Sequence, residues 1–178
     1  MDAIDMIKER RSVRKFKNEK VDRETMKEII DIARWAPSWV NYQVARYTLI
    51  DDEETIQKLA NDAVKGFVYN MDTLKNAKGV AVVSFVKGKS GKKDGIEGLA
   101  KTWEVFDAGI ATQTFCLAAY AKGIGTCIMG VISEESIAKI INLPEEETVA
   151  ALIVYGYPDE EPHSKRKSAD EIMRFFDK

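Results

Sequence analysis

A single histidine, His163, two cysteines and four prolines occur among the 178 residues. One histidine leaves no basis for a His-rich metal cluster and speaks against a His-dependent catalytic triad. Cys116 and Cys127 have neither the spacing of a zinc site nor the density of a disulfide framework. A reducing, cytoplasmic compartment suits them. No stretch approaches the ~20 continuous apolar residues of a membrane span. The acidic start Met1-Asp2-Ala3-Ile4-Asp5 lacks the basic and then apolar character of a signal peptide. With 27 basic against 29 acidic residues and a net charge of −2, the chain is not built to coat nucleic acid. The expectation is a soluble cytoplasmic protein without membrane or nucleic-acid partners.

What is present points to one domain over residues 1–178, with 45% hydrophobic residues and no internal repeat. The spacing of Ile4 and Ile7 predicts a short helix over Asp2–Glu9. Asp22 reads as a helix N-cap, with Val21 and Met26 as a hydrophobic staple. Met26, Ile29, Ile30 and Ala33 follow at helical intervals until Pro37. Ala45–Ile50 reads as a strand, and Ile56 to Val64 as an amphipathic helix. Val80–Val86 is a continuous apolar run of strand length, expected to be buried on both faces. Residues 87–98 read as a loop. Leu99–Lys122 reads as a long helix whose only charge between Val105 and Ala121 is Asp107. A helix so apolar needs covering on several sides, which a subunit interface would provide. Ser133–Ile141 reads as a helix, Val149–Tyr155 as a strand, and a last helix starts at Ser168. The fold class is therefore α/β in the broad sense (α+β), with helices packed on a small sheet.

Two familiar phosphate-binding patterns fail. Gly88-Lys89-Ser90 imitates the end of a P-loop, but Val83 stands where the pattern needs its first glycine. Gly123-Ile124-Gly125 lacks the third glycine of a dinucleotide fingerprint, since position 128 is Ile, and it follows a helix. It reads as a helix stop and a turn. Better candidates are two basic clusters at opposite ends of the chain. One is Arg10, Arg11, Ser12 and Arg14; the other is Lys165, Arg166 and Lys167, just ahead of the capping-box pair Ser168 and Glu171. Arginine matches phosphate oxygens with a two-pronged fork, and a helix N-terminus favours an anion. The competing reading is ordinary solvated charge. A third candidate is Pro37-Ser38-Trp39-Val40-Asn41-Tyr42-Gln43, where amide, hydroxyl and aromatic groups suit a planar heteroaromatic ligand; taken alone, the segment reads sooner as an ordinary polar turn.

Taken in order, these segments resemble the FMN-dependent nitroreductase family. Arg10-Arg11-Ser12-Val13-Arg14 resembles its flavin-phosphate motif, and Pro37 to Gln43 its Pro-Ser-x-x-Asn-x-Gln loop. Asp107 to Gln113, with Gly123-Ile124-Gly125, is similar to its central helix and exit. Gly156-Tyr157-Pro158 followed by Arg166-Lys167 resembles its C-terminal signature. The resemblance implies a nitroreductase-like fold, with a small mixed or antiparallel central sheet flanked by helices in an intertwined homodimer. It implies FMN at the interface and NADH or NADPH as electron donor. Arg10, Arg11, Ser12, Lys165 and Arg166 would hold the phosphate, and Arg14 would support negative charge on the flavin ring. Asn70 would bond the ring edge, and Ile128, Met129 and Gly130 would pass along the ring. Pro37, Ser38, Trp39 and Asn41 would come from the partner subunit. No protein nucleophile and no metal is implied. The acceptor would be a nitroaromatic, a quinone or another electron-poor molecule. Dehalogenation, ring oxidation, or a flavin-binding module with little turnover stay open. Trp39 stands where the family more often has a small residue, and Val44-Ala45 where it has Pro-Trp.

Overall fold

The computed structural model describes residues 2–64, 68–91 and 103–176. In chain order the elements are α1 (Ala3–Glu9), α2 (Arg23–Ala33), a 3₁₀ turn (Trp39–Asn41), β1 (Ala45–Ile50), α3 (Glu53–Asp62) and α4 (Val68–Asn76). There follow β2 (Gly79–Val86), α5 (Trp103–Ala121), β3 (Gly125–Met129), α6 (Glu134–Ile141), β4 (Glu147–Gly156) and α7 (Ala169–Ile172).

Local chemistry sets most of these boundaries. Asp22 caps α2 by accepting from the Thr25 N–H at 2.8 Å. Its staple partners Val21 and Met26 are both buried. Ser133 caps α6, and Asn142 ends it in the left-handed conformation, with φ 50°. Of the expected long helix, Leu99–Thr102 lies outside the described residues, as do residues 92–98 of the expected loop.

The sheet has four strands in the order β1-β2-β4-β3, and every pairing is antiparallel. β2 is buried along its whole length because both sheet faces are covered. On one face Ala81, Val83, Phe85, Ile153 and Tyr155 pack with α2 and α5 residues such as Ile29 and Phe115. On the other, Val80, Val82, Cys127, Met129, Leu152 and Val154 pack with Ile56 and Leu59 of α3, Leu74 of α4 and Ile137 of α6. A β-bulge shifts the β2–β4 register between Val83 and Ser84. It lets Val149 and Leu152, three apart, share one core where strict alternation would separate them.

Two elements depart from expectation. β3 occupies the stretch read as a turn after Gly123, and α4 forms where no helix is evident. The closing helix is only a four-residue turn, α7, too short to carry much of a helix dipole.

Gly79 shows how closely the sheet is packed. It pairs with Tyr155 across the ladder, and a Cβ there would run into the Tyr155 ring. That ring is 2% exposed and packed in the core. Gly79→Ala is therefore expected to cost about 3 kcal/mol of stability, read as a lower urea midpoint with an unchanged slope.

Candidate functional site

The basic segment Arg10–Arg14 lies along the outer edge of β3. Ser12 forms a parallel bridge with Thr126, and the Val13 N–H donates to the Thr126 carbonyl at 2.9 Å. An edge strand needs such cover, and here the cover carries the candidate cations. The Val13 side chain is buried against Gly125, where an added Cβ would stand 2.9 Å from Val13 Cβ. The second glycine of Gly123-Ile124-Gly125 therefore allows the close approach of this segment.

The chain's C-terminal part fixes the same segment from the other side. Phe16 bridges Pro158, the Lys17 N–H donates to the Tyr157 carbonyl at 2.9 Å, and the Asp159 N–H donates to the Lys15 carbonyl at 2.9 Å. The Glu160 carboxylate accepts from the backbone N–H groups of Arg14 and Lys15, at 2.5 and 3.2 Å. The two ends of the chain thus meet through their backbones. Lys165 and Arg166 themselves stay exposed, and the Arg166 guanidinium donates to Ser164 Oγ and the Lys165 carbonyl.

Arg11 is committed to the backbone. Its guanidinium donates to the Lys8 and Arg10 carbonyls at the end of α1, and it lines a groove of about 500 Å³ beside Pro158, Pro162 and His163. Cations at a helix C-terminus are favourably placed, so Arg11 stabilises the turn that aims Arg10. Arg10 and Arg14 form no ion pair among the described residues.

Two buried side-chain atoms among the described residues have no hydrogen-bond partner: Arg10 Nε and Trp39 Nε1. Both fall inside motifs singled out from sequence. An orphaned buried donor costs about 1–3 kcal/mol, so a donor of this kind on a cation marks a place where an anion would be welcome.

Beside Arg10 and Arg14, Cys127 and Met129 point into the core while Ile128, on the opposite face of β3, is 45% exposed. Gly130 opens onto free space, where a Cβ would meet nothing within 4 Å. Asn70 is half-buried on α4, next to Met71, which packs on the core that holds Cys127 and Met129.

Burial pushes the Cys116 and Cys127 thiols up; a hydrogen bond with Thr126 and then the charge of Arg10 draw Cys116 back only in part, and the charges of Arg14 and then Arg10 do so for Cys127. Neither should react with a disulfide reagent at neutral pH until the protein unfolds. Fast labelling of the native protein would show that the core on one face of the sheet opens readily, the α5 side for Cys116 and the α3–α4–α6 side for Cys127.

The loop Pro37–Gln43 lies at the far side of the sheet. With Ala45, Tyr47, Asp107 and Ala111 it borders a cavity of about 340 Å³. The Trp39 N–H donates to both oxygens of Asp107, and the Gln43 N–H to Ser38 Oγ at 2.8 Å. Val40, Asn41 and Gln43 all have positive φ, at 46°, 57° and 50°. For a β-branched residue such as Val40 this is strain, of the kind that collects at functional sites. Burial pushes the Tyr47 phenol up to about 12, so it remains a donor, bonded to the Ala111 carbonyl. The Trp39 ring packs edge-on against Trp103, with centroids 4.9 Å apart.

Strand order separates the two halves of the expected site. Arg10–Arg14 and Ile128–Gly130 belong to the β3 edge, and Pro37–Asn41 to the β1 edge. Three strand spacings place those edges about 14 Å apart. One copy does not bring them together.

The sequence model described as the nitroreductase family matches residues 7–157, most of the chain. The chain belongs to the nitroreductase family. An FMN-dependent nitroreductase from Clostridium difficile R20291 is 28% identical, with a TM-score of 0.78 over 98% of this chain and 99% of that one. A nitroreductase family protein from Clostridium novyi NT is 27% identical, with a TM-score of 0.79 over 96% of this chain and 91% of that one. The FMN reductase [NAD(P)H] of Bacillus subtilis strain 168 is 24% identical over 97% of this chain and 72% of its own length. The likeness is to a fold in which, for this chain, helices flank one small, wholly antiparallel sheet.

Sequence reasoning singled out this chain's basic segment and the loop Pro37–Gln43. It missed β3 itself, the docking of Val13 on Gly125, and Asp107 as the anchor of the loop. The run Thr126-Cys127-Ile128-Met129, apolar and partly β-branched, was the available signal for β3.

Proposed function

We propose that this chain is an FMN-dependent oxidoreductase, active as a homodimer, that passes reducing equivalents from NADH or NADPH to an electron-poor acceptor such as a nitroaromatic or a quinone. The observation that carries the reading is the orphaned, buried Nε of Arg10, in a basic segment clamped onto the exposed β3 edge. Arg10 and Ser12 would hold the phosphate, with Arg11 fixing the turn that aims Arg10. Lys165 and Arg166, exposed and without an acidic partner among the described residues, are available as further cations. Arg14 would stand by the ring and stabilise negative charge there. Asn70 would meet a polar edge, and Ile128 and the backbone of Met129 and Gly130 would border the flat face.

When bound, FMN supplies the hydride chemistry. The chain supplies orientation, charge and shelter from water. Pro37, Ser38, Trp39 and Asn41 complete such a site only from a second copy, because their own edge is remote. The exposed stripe of α5, with Val105 at 54% and Phe106 at 58% exposure, followed by Gly109, Ile110, Gln113 and Thr114, offers the apolar surface for that pairing. Nothing in this scheme needs a protein nucleophile or a metal, which accords with one histidine and two buried cysteines.

The test is anaerobic mixing of the FMN-loaded protein with NADH and, separately, NADPH. Rapid loss of the yellow colour, restored by a quinone or nitroarene, is expected with at least one donor. Persistent yellow with both would favour a binding module, and a protein that takes up no FMN on titration would overturn the reading.

A further inference from the structure

Asp107 is the charge that the proposed chemistry leaves without a task. It is 2% exposed, the deeper of the two buried carboxylates among the described residues, the other being Glu104. No cation pairs with it there. Its three hydrogen bonds come from neutral donors: Trp39 N–H at 3.1 and 3.2 Å, one to each oxygen, and Ser90 Oγ at 2.6 Å. A buried carboxylate without a countercharge is costly, so an apolar residue would serve stability better. Its value must lie in what it holds.

It holds the loop Pro37–Gln43 at one backbone point. That loop stores strain in Val40, Asn41 and Gln43 and is closed on itself by the Gln43 N–H to Ser38 Oγ bond. Residues in this φ region persist only where the surroundings over-determine them. The Asp107 carboxylate supplies that determination from a helix packed across the core. It is itself oriented by Ser90, whose segment α5 also grips one turn earlier, where the Gly88 N–H donates to Glu104 at 3.0 Å.

We infer that Asp107 is a positioning residue: through the Trp39 N–H, and steadied by Ser90, it keeps the strained loop in the form that closes the acceptor side of the second subunit's flavin site. This rests on the proposed function, but the hold on the loop itself can be read without FMN.

The experiment compares amide hydrogen exchange at Trp39 in FMN-free protein, and then acceptor kinetics with benzoquinone in loaded protein, for Asp107→Ala, Asp107→Asn and Ser90→Ala. In Asp107→Ala, exchange at Trp39 should quicken by about tenfold or more. The quinone KM should rise by a similar factor while kcat changes less than about threefold. Asp107→Asn keeps an acceptor oxygen and should restore both readouts. A folded Asp107→Ala protein with wild-type exchange and KM would overturn the inference, and so would an asparagine variant as impaired as the alanine one. If Asp107→Ala does not fold, Ser90→Ala decides, with faster Trp39 exchange and a raised KM in support and no change in either against. Failure of the wild type to take up FMN would sink the functional reading, while the exchange rates at Trp39 would still decide whether Asp107 holds the loop.

Discussion

Replacing Arg10 with alanine is expected to weaken FMN binding by roughly 100-fold or more while leaving the FMN-free protein as stable as before, or slightly more so. Each hydrogen bond from a cation to a charged group contributes about 1.5–3 kcal/mol, and a two-pronged grip on phosphate makes two. Losing about 3 kcal/mol corresponds to a factor on the order of 100 in Kd. The stability half of the forecast comes from the orphan: Arg10 Nε is buried without a partner, so the free protein already carries its cost. Truncation removes the cost along with the group. Binding sites often trade stability for function in this way. Fluorescence titration with FMN, together with a melting curve of the FMN-free protein, reads both halves. A large fall in melting temperature with unchanged FMN affinity would make Arg10 a structural residue and move the phosphate site elsewhere.

The features legible in the sequence are those set by near neighbours. Asp22, Val21 and Met26 announce the start of α2 because a cap and its staple lie within five residues. The run Val80–Val86 announces a strand buried on both faces because no polar residue but Ser84 interrupts it, and the structure buries every one of its positions. β3 is different. It is five residues long, sits at the sheet edge, and begins at a glycine whose small size serves a residue more than a hundred positions away in sequence. No local pattern encodes that contact. α4 also escapes, because its apolar residues make no clear stripe. The antiparallel order of the strands depends on long-range pairing and could only be narrowed, not read.

The site divides the same way. Arg10, Ser12 and Arg14 stand out as a motif, and so does the loop from Pro37 to Gln43. Their placement at opposite edges of the sheet is a property of topology alone. It is the strongest physical reason to invoke a second copy. Arg11 resembles its neighbours in sequence but is committed to the carbonyls that end α1, and only coordinates reveal that division of labour.

Gly125→Ala should couple the fold to the site in a single measurement. The new Cβ would stand 2.9 Å from Val13 Cβ and Cγ2, closer than such atoms tolerate. Val13 is 7% exposed and its N–H is tied to the Thr126 carbonyl, so the side chain cannot swing aside cheaply. The segment must lift away from β3, with Arg10 and Ser12 on one side of Val13 and Arg14 on the other. We expect a loss of about 1–3 kcal/mol in stability and a fall of about tenfold or more in FMN affinity, since positioned contacts fail when displaced by a fraction of an ångström. Val13→Gly removes the opposing Cβ together with both methyl groups and should also destabilise, by about 2 kcal/mol. In the double variant the two defects should cancel in part, with a coupling of about 1 kcal/mol or more and FMN affinity recovering toward the wild type. Strict additivity, in stability and in affinity alike, would mean that the segment does not owe its position to the missing side chain at Gly125. The link from this glycine to the phosphate grip would then be wrong even if Arg10 itself proved essential.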